Sequence, residues 1–274
     1  MEEVSGNSLT IDQIITTALM LSGLIMAFLC FLHHRKKPPN FSQLTETIIS
    51  RSWNTLQVGI LLASLFLLYL LAACSGRFFY EEQIPLARLV ITIIIYVIMV
   101  SIISIINRRH GGNWVDSLGM GFGNLRRLIL APVFYLAFIP FLMAATSGYH
   151  LLLEALFESE VELQDIAKVV SGERSWLGIG YILMAIIVAP VFEELIFRGI
   201  VFPYIVKRAG LISGIAVVSV LFSVMHFHLP SMVPLAMLST ALCLAYWRTG
   251  SLWVSIGIHV IFNAVTILAL NVMG

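Results

Sequence analysis

Runs of about 20 predominantly apolar residues recur along this chain, at 13–32, 54–74, 86–106, 127–147, 176–206, 211–229, 232–247 and 252–271. Each suits a bilayer hydrocarbon core of about 30 Å, where a helix satisfies all of its own backbone hydrogen bonds. The pattern predicts an all-α, polytopic membrane protein of about eight transmembrane helices, with membrane lipids as its surroundings. With 59% of residues hydrophobic and only 11% charged, a soluble domain is excluded. The first run follows Glu2, Glu3 and Asp12 rather than basic residues and has no small-residue cleavage site, so a retained span is expected rather than a signal peptide. No block of lysines and arginines points to a nucleic-acid partner. Cys30, Cys74 and Cys243 sit in or beside apolar runs, without spacing that would suggest zinc or a disulfide framework.

Orientation follows from the basic residues. One alternating set of loops holds Arg35, Lys36, Lys37, Arg51, Arg108, Arg109, Arg126, Arg127, Lys207, Arg208 and Arg248; the other holds only Arg77, Arg88, Lys168 and Arg174. The richer set is expected in the cytoplasm, with both termini outside and a polar cavity within the bundle opening to the cytoplasmic side. Two connections are longer than turns. Residues 107–126 read as an interfacial segment, and 148–175 as an amphipathic helix on the outer face, either a connector or a lid.

Within the fifth run stands Ala189-Pro190-Val191-Phe192-Glu193-Glu194-Leu195-Ile196-Phe197-Arg198. Ionisable side chains at membrane depth are costly and mark function by default. Glu194 and Arg198 are four apart and can pair on one helix face. Glu193 is turned about 100° away and has no local partner. Pro190 is a cause for a kink in this long run. The sixth run ends on Phe222-Ser223-Val224-Met225-His226-Phe227-His228, and the eighth carries His259 and Asn263, again four apart. Along ideal helices, Glu193, His226 and Asn263 each lie about 20 Å from their cytoplasmic ends, and His259 about 14 Å. One carboxylate, two imidazoles and one carboxamide at similar depth favour a site over isolated helix–helix hydrogen bonds.

In order and spacing, Glu193-Glu194-x-x-x-Arg198, Phe222-x-x-x-His226 and His259-x-x-x-Asn263 resemble the three motifs of the CPBP family. These are the CaaX prenyl endopeptidases of the Ras-converting type and the bacteriocin-processing membrane proteins, also called Abi. Trp247-Arg248-Thr249-Gly250-Ser251-Leu252-Trp253 is similar to the stretch that precedes the family's third motif. The resemblance covers about residues 112–270, which divides the chain into N-terminal spans at 1–111 and a CPBP-like core at 112–274. It implies an intramembrane endopeptidase acting on hydrophobic, membrane-associated or lipidated peptides and proteins. It further implies Glu193 as general base for a water, His226 as its helper, and His259 with Asn263 as an oxyanion hole. Glu194 and Arg198 would then orient Glu193, and no metal or other cofactor is called for.

Three other readings compete. Glu193, His226 and His259 could instead ligate zinc in a metalloprotease, although no His-Glu-x-x-His is present. The polar cluster could merely lock helices together in a scaffold or bacteriocin immunity protein, but such a lock does not require Glu193. A transporter would be expected to show inverted repeats, and none is visible. The short tails and the lack of an organelle signal point to a prokaryotic plasma membrane.

Overall fold

The computed structural model describes residues 11–51, 53–75, 84–109, 113–157 and 176–273, and among these every regular element is helical. Helix α1 (Ile11–Lys36) is followed by α2 (Phe41–Ile49), α3 (Thr55–Ser75) and α4 (Ile84–Arg109). Two short helices, α5 (Trp114–Leu118) and α6 (Phe122–Leu125), occupy the expected interfacial segment. A 3₁₀ turn, Arg126–Leu130, leads into α7 (Ala131–Phe157). Three successive pieces follow, α8 (Trp176–Leu183), α9 (Ala189–Ile196) and α10 (Phe202–Val224). Helices α11 (Met232–Thr249) and α12 (Leu252–Met273) complete the chain.

Among the described residues six stretches are long and apolar enough to cross a membrane. One of them, Trp176–Val224, doubles back at Gly210, whose φ of 83° and ψ of 170° break the helix. Together with the shorter apolar helix at Thr55–Leu71, these make eight apolar passes where the eight runs lie. Large apolar side chains such as Leu21, Phe28, Phe66, Val97 and Ile179 point outward, as lipid requires. Of the connection at 148–175, the described part continues α7 to Phe157, and the remainder lies outside the described residues.

Helix α2 was not expected. Pro38 and Pro39 stop α1, and Asn40 caps the new helix by accepting from the Gln43 amide at 3.1 Å. Its apolar positions, Phe41, Leu44 and Ile48, recur at helical spacing, and the helix packs against α10 and α11. Phe41 stacks on Trp247 at 5.5 Å, and the Trp247 indole donates to Thr45 at 3.1 Å.

Most enclosed of the spans is α11, which packs against α7, α10 and α12. Its basic end is tied down by arginines. Arg51 donates to the Gly250 carbonyl at 2.8 Å and to the Tyr246 hydroxyl at 3.2 Å, and Arg127 donates to the Thr249 carbonyl. At the opposite end α7 holds the loop between α10 and α11, with Tyr149 donating to the Leu229 carbonyl at 3.0 Å and His150 bonding to that of Pro230 at 3.3 Å. This hairpin is short. Its first limb, Leu211 to Val224, is about 21 Å long and α11 about 27 Å, against about 40 Å for α7.

Candidate active site

Two widened turns flank the Glu-Glu segment. Met184–Val188 and Phe197–Val201 are both π-helical, and each is followed two residues later by a proline, Pro190 or Pro203. A proline inside a helix lacks an N–H and presses on the carbonyl of the preceding turn. Widening that turn by one residue relieves the clash, and π turns of this kind cluster at functional sites. The expected kink at Pro190 is therefore accommodated by a change of helical register. Ala189 donates to the Met184 carbonyl. The next donor in that register would belong to residue 190, which has none, so the Ala185 carbonyl loses its partner within the helix. Asn263 supplies one instead, donating from Nδ2 at 2.7 Å.

At the centre lie Glu194 and Arg198, both 0% exposed. Arg198 Nη1 donates to Glu194 Oε1 at 2.8 Å, while its Nη2 donates to the Ser239 hydroxyl at 2.7 Å and the Ser239 carbonyl at 3.1 Å. The guanidinium also lies 4.7 Å over the Phe222 ring. Glu194 Oε1 takes a second contact from His259 Nδ1 at 3.0 Å. A carboxylate can only accept, so Nδ1 carries a proton and the other ring nitrogen is turned elsewhere. That nitrogen, Nε2, faces Glu193 Oε2 at 3.7 Å. His259 thus bridges the two neighbouring carboxylates, buried on one side and partly open on the other, where the Glu193 side chain is 22% exposed.

His226 stands just past the end of α10. Its Nδ1 donates to the Phe222 carbonyl at 2.7 Å, which leaves Nε2 as the free lone pair. The Phe222 ring separates the histidines, 4.9 Å from the ring of His226 and 5.6 Å from that of His259. Phe227, the next residue, has a φ of 48° and is 91% exposed, a strained conformation of the sort that persists beside functional groups. His226 lies at the end of the bundle away from Arg51, Arg127 and Gly250.

The structure therefore places Glu193, Glu194, Arg198 and His259 in one connected cluster. His226 flanks it across Phe222, and Asn263, one turn beyond His259, ties α12 to the widened turn ahead of the glutamates. Ser239 was missed, although a buried serine in the apolar run of α11 is a signal of the right kind. The aromatic spacer role of Phe222 was also not read. Glu193 Oε2, Glu194 Oε2 and Arg198 Nε are buried without a hydrogen-bond partner among the described residues. As a zinc site the arrangement fits poorly. Among the described residues no three His, Cys, Asp or Glu side chains converge as ligands.

Residues 175–265, which contain all three motifs, match the family described as type II CAAX prenyl endopeptidase, Rce1-like. A curated relative, "Putative membrane peptidase YdiL" of Bacillus subtilis (strain 168), is 28% identical over 87 residues, which cover 32% of this chain and 36% of that protein. The chain thus matches about a third of that relative's length. No solved structure matches. Both matches support the CPBP resemblance carried by the motifs.

Proposed function

We propose that this integral membrane protein is an intramembrane endopeptidase that hydrolyses peptide bonds in hydrophobic, membrane-associated or lipidated peptides and proteins with a water activated by Glu193. The observation that carries this reading is the asymmetry of the paired carboxylates. Glu194 is neutralised by Arg198, while Glu193 presents an unpartnered oxygen to His259 at the edge of the buried cluster. A structural lock has no use for that second acid. The family match over residues 175–265 supports the same class of activity.

Glu193 takes a proton from water as the oxygen attacks the scissile carbonyl carbon, and the C=O bond becomes a C–O⁻. With Nδ1–H committed to Glu194, His259 offers the developing anion an N–H only from Nε2, so the imidazolium is the donor form. That form also balances the cluster, two carboxylates against a guanidinium and an imidazolium. Asn263 has one amide hydrogen on Ala185 and a second left to donate. His226, with its Nε2 lone pair unengaged by Phe222, accepts from the water and holds it. As the C–N bond breaks, Glu193 passes its proton to the leaving amine and is regenerated. Every step uses residues of this chain and none requires a metal.

Glu193→Gln is expected to abolish cleavage of an internally quenched hydrophobic peptide by purified protein while leaving its melting temperature unchanged or raised. Element analysis of the same sample accompanies the assay. Retained cleavage in Glu193→Gln defeats the reading, and activity that tracks one bound zinc replaces it with the metalloprotease.

A further inference from the structure

The match to known peptidases begins at residue 175, so the first half of the chain carries no assigned part in the reaction. The structure nevertheless places two of its side chains in the neighbourhood of Glu193. Helix α4 runs alongside α8 and α9 in a consistent register. The Tyr181 hydroxyl donates to the Pro85 carbonyl at 2.6 Å, and Gly180, lacking a side chain, lets Leu89 close against it. Further along, the Tyr96 ring stacks on Phe192, with centroids 3.9 Å apart and planes 20° from parallel. Phe192 is buried and immediately precedes Glu193. The Tyr96 hydroxyl shares a hydrogen bond with that of Tyr69 on α3, and both tyrosines lie within electrostatic reach of Glu193. Depth agrees as well. Measured from the basic ends of α3 and α4, Tyr69 and Tyr96 lie about 20 Å along, level with Glu193.

A phenol inside an apolar span seeks a hydrogen-bond partner for its hydroxyl. Glu193 Oε2 is a buried acceptor without one among the described residues. Between them the stacked rings fix the plane in which the hydroxyl can swing. Catalytic hydrogen bonds of this kind commonly tighten only when substrate is bound.

We infer that Tyr96, backed by Tyr69, is a positioning residue for Glu193. The Tyr69 hydroxyl donates to Tyr96 and that of Tyr96 to one Glu193 oxygen, which turns the other oxygen toward the attacking water. The helices ahead of the matched region thereby complete the site. This rests on Glu193 being the base.

The test compares wild type, Tyr96→Phe, Tyr96→Leu, Tyr69→Phe and Glu193→Gln, all as the full chain in detergent. Phenylalanine keeps the stack on Phe192 and removes only the hydroxyl. Tyr96→Phe is expected to lower kcat about tenfold, the size of one net hydrogen bond, with KM and melting temperature unchanged. Adding Tyr69→Phe should cost nothing more, because Tyr69 acts through Tyr96. A second readout needs no substrate. The Glu193 carboxyl band in the infrared spectrum, identified by its loss in Glu193→Gln, should shift in Tyr96→Phe. Full kcat with an unshifted band overturns the assignment, as does activity lost in Tyr96→Leu and kept in Tyr96→Phe. Full cleavage by Glu193→Gln removes the base reading itself, and the band then decides the contact alone.

Discussion

A buried guanidinium with one acidic partner and a serine behind it is a demanding thing to keep inside a membrane, and Arg198 is held by Glu194, Ser239 and the face of Phe222 together. Removing it leaves Glu194 charged, buried and facing only His259. Breaking a buried pair from one side costs about 3–5 kcal/mol. Arg198→Leu is therefore expected to lose both cleavage and folding, seen as a collapsed melting temperature in detergent, whereas Glu193→Gln loses cleavage alone. If both variants melt like wild type, the division between a structural and a reactive carboxylate is wrong. Much of this division is legible in the sequence, because four-residue spacing on a helix is local and Glu194 and Arg198 obey it. The partner of Glu193 is not local. His259 lies 66 residues away, and depth counting brings it only to about the same level. That one imidazole touches both acids depends on the close packing of α9 against α12, which no spacing encodes.

The same limit shows in the elements. Pro190 announces an irregularity, but a proline can bend a helix or widen a turn, and the choice depends on what can satisfy the released carbonyl. Here Asn263 satisfies that of Ala185, so the widened turn is stable and the glutamates are rotated into place. Pro190→Ala restores the missing N–H and removes the reason for the wide turn. The variant is expected to melt at the same or a higher temperature and to cleave at least tenfold more slowly, a trade of activity for stability familiar at strained sites. Unchanged cleavage would mean that the wide turn plays no part in aiming Glu193. Helix α2 escaped the sequence reading for a different reason. Its apolar stripe is only two turns long and sits behind a basic, proline-containing stretch, where composition signals a loop. Only the surface it covers, the Trp247 end of α11, turns that stripe into a helix.

At the scale of the whole molecule, the eight passes were readable because hydrocarbon thickness is a strict ruler, and their packing was not. Arg51 and Arg127, both from the arginine-rich set of loops, meet at one end of the bundle on the carbonyls of Gly250 and Thr249. The hairpin of α10 and α11 has a further consequence. Its tip, with His226 and the outward-turned Phe227, stops well short of the height reached by α7, in a slab of lipid whose thickness is set by the longer helices. Headgroups and water must sag toward the tip, or the hairpin must be pulled outward, and either adjustment carries an energy that depends on acyl-chain length. The lipid thus becomes a working part of the site. In proteoliposomes of monounsaturated phosphatidylcholines, cleavage per molecule is expected to fall as the chains lengthen and the histidine recedes from water, and a rate indifferent to chain length would show that the route to His226 is lined by protein alone. A cell that thickens its membrane would slow the proposed cleavage without touching the protein.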